Sequence, residues 1–132
     1  MGEAVSVPLL RLSARRASHP LVQQMVGRIA KDEAAHGHFG FIYLDWVRDQ
    51  LSGEELRYLA TAADNEIEKL ERNWRLVAAQ PSADGDTVGW LPRKEYLAAA
   101  YSALAHKVIG PLAERDIVVK PRPQPSSNRS PE

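Results

Sequence analysis

Apolar residues recur along this chain at intervals of three and four, in four separate runs. At ~100° per residue such spacing gathers them on one face of a helix, and no run shows the alternation a half-buried strand requires. The first run, from about Glu3 to Ala17, puts Val7, Leu10 and Ala14 on one face with Glu3 at its head. Pro8 fits there only in an opening turn or at a kink, because it has no amide to give a helix interior. Ser18, His19 and Pro20 break the run. Proline suits a first helical turn, so Ser18 or His19 caps a long second helix from Pro20 to about Gln50. Ser52, with Glu55 three residues on, makes a capping box for a third helix. That helix continues to about Ala79 and buries Leu56, Leu59, Ala63, Ile67, Leu70, Trp74 and Val77, leaving Glu66, Glu68 and Glu71 in solvent. Turn formers over 80–89 lead to a fourth helix from about Pro92 to Glu114, with Leu97, Tyr101, Leu104, Val108 and Leu112 on its stripe. Gly110 and Pro111 should bend or interrupt it, and His106 lies off the stripe. The pattern predicts an all-α fold.

One stripe contains an acid and an imidazole. The positions within about 40° of Glu33 are Val22, Val26, Ile29, Gly37, Gly40, Leu44 and Val47, all apolar or glycine. A carboxylate on a core-facing stripe is costly unless it is paired, hydrogen-bonded or bound to a metal. His36 lies three residues on, one turn away on the same face, so a ring nitrogen and the carboxylate oxygens can converge on one ion or on each other. Gly37 and Gly40 on that face suggest close helix approach or space beside the site. Glu3 stands thirty positions before Glu33, a separation that fits two arms of a helical hairpin. Two readings of Glu3 stand side by side: a further ligand, or a first-turn acid favoured by the helix dipole.

Glu3, the DEAAH run from Asp32 to His36, and the surrounding RIAKDEAAHGHFGFIYLDWV resemble the second half of a ferritin-like di-iron carboxylate domain. The stretch from Glu3 to Ile117, including GWLPRKEY before the last helix, is similar to the C-terminal part of bacterial proteins known only as containing a ferritin-like domain. The resemblance implies an antiparallel bundle of about four helices with two metals held between helix pairs, each pair giving one Glu and one E-x-x-H. It would make Glu3, Glu33 and His36 metal ligands and Asp32 the acid that orients a ligand histidine from another helix. It implies two irons per completed site, with manganese as the other candidate, and oxygen-dependent oxidation. The chain departs from the pattern in holding one Glu and one E-x-x-H, half the ligand set. Either it is a fragment or a shortened relative, or two copies combine as a symmetric homodimer, the commonest oligomer.

Composition narrows the remaining possibilities. With 132 residues there is chain enough for one domain with a core, assigned to 1–117. The 17 basic and 17 acidic residues cancel, which gives no reason to expect nucleic acid as a partner. The absence of cysteine excludes disulfides and thiolate chemistry. No run reaches the ~18 apolar residues of a membrane span, and the start of the chain does not read as a signal peptide, so a cytoplasmic protein is expected. From 118 to 132 the proline- and serine-rich segment, ending KPRPQPSSNRSPE, should be disordered. The aromatics Phe39, Phe41, Tyr43 and Trp46 are expected in core and inter-helix contacts. The leading expectation is half of a di-iron or di-manganese oxidase-type site, completed by a second chain or a missing N-terminal half, on a small-molecule substrate the sequence does not select. The alternatives are a non-catalytic helical interaction or scaffold protein that lost the complete site, and iron storage.

Overall fold

The computed structural model describes residues 2–79 and 85–122. The residues fall into α1 (Gly2–Arg16), α2 (Pro20–Val47), α3 (Gly53–Ala78), a single turn α4 (Gly85–Val88), α5 (Arg93–Leu104), a π turn (Ala105–Ile109) and α6 (Gly110–Ala113). The last three elements run on as one interrupted helix. The described residues contain no strand, so the all-α expectation holds, and no helix among them is long and apolar enough to cross a membrane.

The helix boundaries follow from local chemistry. His19 caps α2, its Nδ1 accepting from the Leu21 amide at 3.3 Å with Pro20 in the first turn. At α3 the Ser52 hydroxyl accepts from the Glu55 amide at 3.2 Å and the Ser52 amide donates back to Glu55 Oε2 at 2.8 Å, together satisfying two amides that a helix start leaves orphaned. α6 stops where Asp116 takes φ 59°. The Asp116 amide then reaches Ala113 O at 3.1 Å and the Ile117 amide reaches Leu112 O at 3.0 Å, the paired bonds of a Schellman turn.

That turn sends the chain back onto α3, where the core lies. Ile67 and Trp74 of α3 meet Ala100, Leu104 and Val108 of the last helix, Val5 of α1 joins them, and Ile117 and Val119 close the cluster. Trp74 and Tyr101 cross edge to face with centroids 5.6 Å apart. Beyond Val119 the Lys120 amide donates to Asp64 Oδ1 at 3.0 Å, and Arg122 donates to Asp64 Oδ1 at 2.6 Å and to Glu71 Oε2 at 3.5 Å. Two sequence expectations change here. Glu71, expected in solvent, is buried, because an arginine from the C-terminal segment neutralises it. The expected disorder from 118 does not describe residues 118–122, which lie along α3; residues 123–132, like the first half of the expected 80–89 loop, 80–84, fall outside the described residues.

Gly89 fixes the approach to α5. It has φ +72°, its carbonyl accepts from the Ser13 hydroxyl at 2.6 Å, and a Cβ there would stand 2.0 Å from the Ser13 carbonyl oxygen. Only glycine lets the backbone lie so close to α1.

α2 is the exception to this packing. Ala30 is its one buried residue, although Phe41 and Leu44 pack partly against the core. On its outer side Leu21, Met25, Ile29, Phe39, Ile42, Tyr43 and Trp46 are exposed, Phe39 at 69% and Trp46 at 72%. The aromatics expected in packing therefore divide. Phe41 turns inward beneath Arg115, which sits 5.2 Å from its ring, whereas Tyr43 and Trp46 stack on each other at 5.8 Å outside the core.

Candidate metal-ligand cluster on α1 and α2

The helical hairpin sets the positions of the three expected ligands. At its closed end Gln23 Nε2 donates to the Ala17 carbonyl at 2.6 Å. At its open end Gly37 meets Ala4 so closely that a Cβ on Gly37 would lie 3.4 Å from the Ala4 Cα and N. Glu3 is thereby carried to the level of His36, as the thirty-residue spacing suggested. The carboxyl of Glu3 is held below its ordinary value, first by a hydrogen bond from its own backbone amide, with the nearby His36 acting in the same direction.

Glu33 and His36 converge, with Glu33 Oε2 3.1 Å from His36 Nδ1. In the tautomer that carries its proton on Nδ1, His36 donates to the carboxylate. Nε2 and Glu33 Oε1 remain as outward donor atoms. Glu33 is half-buried, its side chain 38% exposed, and His36 is more open at 67%. Of the stripe read through Glu33, Val22, Val26, Gly37, Leu44 and Val47 are half-buried as Glu33 is, whereas Ile29 and Gly40 are exposed. The stripe therefore runs along one edge of an inward face on which Ala30, about 60° round from Glu33, is the buried residue.

Asp32 accepts from Arg28 Nε at 2.8 Å, one turn back on the exposed side, and is not hydrogen-bonded to His36. Glu66 pairs with Lys69 at the surface of α3. Gly40, where an added Cβ would meet nothing within 4 Å, borders a cavity of about 230 Å³ between α2 and α3. Phe41, Leu44 and Leu59 form its apolar wall, and His36 and Glu66 stand at its rim. Of the two roles expected for glycine, Gly37 provides close approach and Gly40 provides space.

As a ligand set the cluster is a converged pair with a third acid beside it. Among the described residues no three His, Cys, Asp or Glu side chains are placed to hold one ion, so the donors present fit part of a metal site and not a whole one. Sequence reasoning missed the outward apolar face of α2. Its signal was available: Leu21, Met25, Phe39 and Tyr43 lie opposite the inward side, so the helix is apolar on two sides.

Comparison with protein-family models, with curated proteins and with solved structures finds no match. The class is thus stated from the structure itself: an all-helical chain with an acid and histidine cluster beside an open apolar helix face.

Proposed function

We propose that the chain is a metal-binding ferritin-like protein that supplies half of a di-iron or di-manganese carboxylate site, with Glu3, Glu33 and His36 as its ligands. The observation that carries this reading is the delivery of Glu3 by α1 to the level of the converged Glu33 and His36 pair. Carboxylate and imidazole donors suit iron and manganese. Such a two-metal centre, when bound, supplies oxygen activation for the oxidation of a small molecule. The residues of this chain would orient and hold the ions: Glu33 would keep the His36 ring in place through Nδ1, and Asp32 would turn to a histidine of the completing chain.

A second copy is the partner that fits the open face of α2. The stripe is self-complementary under a twofold axis near residue 34. In an antiparallel α2 pair Leu21 would meet Trp46, Met25 Ile42 or Tyr43, Ile29 Phe39, and Asp32 His36. Half to three-quarters exposed, these side chains offer on the order of 100 Å² each, about 700 Å² in all. A stable interface takes about 800 Å² from each partner. The acid facing an imidazole at the axis adds charge complementarity to the apolar ends.

The alternative, a non-catalytic interaction module, draws on the same face and on the lack of a converged third donor among the described residues. Elemental analysis with light scattering, on protein from iron- and manganese-supplemented cells, separates the two. A dimer with about two metal ions, losing them in Glu33→Ala without losing its mass, is the expected result. A metal-free dimer would leave the interaction reading, and a metal-free monomer would remove both halves of the proposal.

A further inference from the structure

The exposed charge of this chain is unevenly distributed. Its 17 basic and 17 acidic residues balance overall, yet around one cleft cations gather with little to oppose them. Arg11 and Lys107, together with the rings of His38 and His106, border a cavity of about 240 Å³ between α1, α2 and the π turn, with Glu3 as its one acid. A second cavity of about 430 Å³ continues from it past Arg11, His106 and Lys107 to Arg15. No carboxylate among the described residues pairs with Arg11, Arg15 or Lys107. The floor between these charges is apolar, built of Val7, Pro8, Ala34 and Phe41.

Two backbone irregularities meet across the cleft. Pro8 lies inside α1 and gives no amide to the Ala4 carbonyl one turn back. Opposite it, Ala105–Ile109 form the π turn, where the Gly110 amide reaches back five residues to Ala105 O. Single π turns of this kind are frequent at functional sites. This one sets His106 and Lys107 on the rim of both cavities. His38 and His106 each have Nδ1 tied to the carbonyl four residues back, at 2.9 and 2.8 Å, which fixes how both rings stand at the rim.

We infer that this cleft is a binding site for a small amphipathic anion, a single anionic head group on a short apolar body. Arg11 and Lys107 grip the head, Arg15 extends the positive rim, and the apolar floor takes the body. Guanidinium groups bind carboxylate and phosphate oxygens through paired hydrogen bonds, and an apolar base with a few convergent polar groups is the usual form of a small-molecule site. The first cavity alone is small, but the second, which shares Pro8, Arg11, His106 and Lys107 with it, lies within the ~300–1,000 Å³ range of ligand sites. The site meets the metal reading at Glu3, which lines its acidic end, whereas neither Glu33 nor His36 lines it.

The test is an NMR titration of the ¹⁵N-labelled full chain with hexyl phosphate. Saturable shifts should appear in Ala4, Val7 and Lys107, and Arg11→Gln and Lys107→Gln should each weaken binding by about fivefold or more. Lys69→Gln, at a distant exposed cation, should leave it unchanged, and circular dichroism checks that all three variants fold. Hexylammonium should give no saturable shift, and inorganic phosphate should bind more weakly than the ester. Equal response to hexylammonium, or binding indifferent to both Arg11→Gln and Lys107→Gln, overturns the site; equal affinity for inorganic phosphate overturns the role of the apolar floor. Co-sedimentation with phosphatidylglycerol vesicles, competed by hexyl phosphate, would assign the head group to a lipid, and its absence to a free molecule.

Discussion

Replacing Arg122 by alanine should destabilise this protein far more than the loss of a surface charge. The guanidinium donates to Asp64 Oδ1 at 2.6 Å and lies 3.5 Å from Glu71 Oε2, and the three side chains are only 11%, 9% and 6% exposed. Removing one partner of a buried charge cluster leaves the others unpaired in a poor solvent, which costs about 3–5 kcal/mol. Here Arg122 Nε has no hydrogen-bond partner of its own and a little water reaches the cluster, so the lower end, about 3 kcal/mol, is expected. For a chain of this size that corresponds to a fall in Tm of about 10 °C, measurable by circular dichroism and by urea unfolding. Replacing the acids as well, in Arg122→Ala with Asp64→Asn and Glu71→Gln, should recover much of the loss, because the penalty comes from the stranded charges. A loss below about 1 kcal/mol, the worth of an exposed ion pair, would refute the claim that the C-terminal segment is clamped onto α3.

Gly89→Ala should cost about 2–4 kcal/mol, because a Cβ 2.0 Å from the Ser13 carbonyl oxygen and 2.9 Å from the Ala17 amide meets backbone that cannot move aside; a Tm within 2 °C of the parent would contradict that packing. Stability should also fall with acid. Glu55, whose carboxyl is lowered from 4.5 by the backbone and hydroxyl of Ser52, and Asp45, lowered from 3.8 by its hydrogen bonds to Arg115, contribute fully above those ordinary values and lose their contribution as pH drops through the lowered ones. Glu55→Gln and Asp45→Asn should therefore flatten the pH dependence of urea unfolding below about pH 5, and curves that stay parallel to the parent would count against both interactions.

The parts of the fold that depend on neighbours in sequence were legible from it. The caps at His19 and Ser52 and the stripes of α3 and α5 all rest on spacings of four residues or fewer, and they appear where the pattern puts them. Glu71 was misread because its solvation depends on Arg122, fifty-one residues away, and no local pattern announces that contact. The candidate site shows the same division. The approach of Glu3 to His36 could be anticipated from hairpin arithmetic, and Gly37 against Ala4 is its structural expression. The stripe through Val22, Val26, Gly37 and Leu44 does lie on the half-buried side of α2, but how shallowly it is covered could not be anticipated, since apolar residues occupy the opposite side as well.

The placement of α2 has a consequence for how the molecule moves. Its principal neighbour is α1, while α3 and α5 share the core that α1 also touches. With Ala30 as its one buried residue, α2 lifts from α1 at the cost of the partial contacts of Phe41 and Leu44 with the core and of the Asp45–Arg115 pair, not of the core itself. Partial openings of this kind cost less than global unfolding, and they make contiguous segments exchange their amide hydrogens together. The amides of α2 should thus exchange as a unit ahead of those in α3, and a partner seated on the outer face would slow them selectively. The long helix with the fewest buried side chains for its length is also the one that bears Glu33 and His36, so a ligand held by that pair should slow exchange along α2.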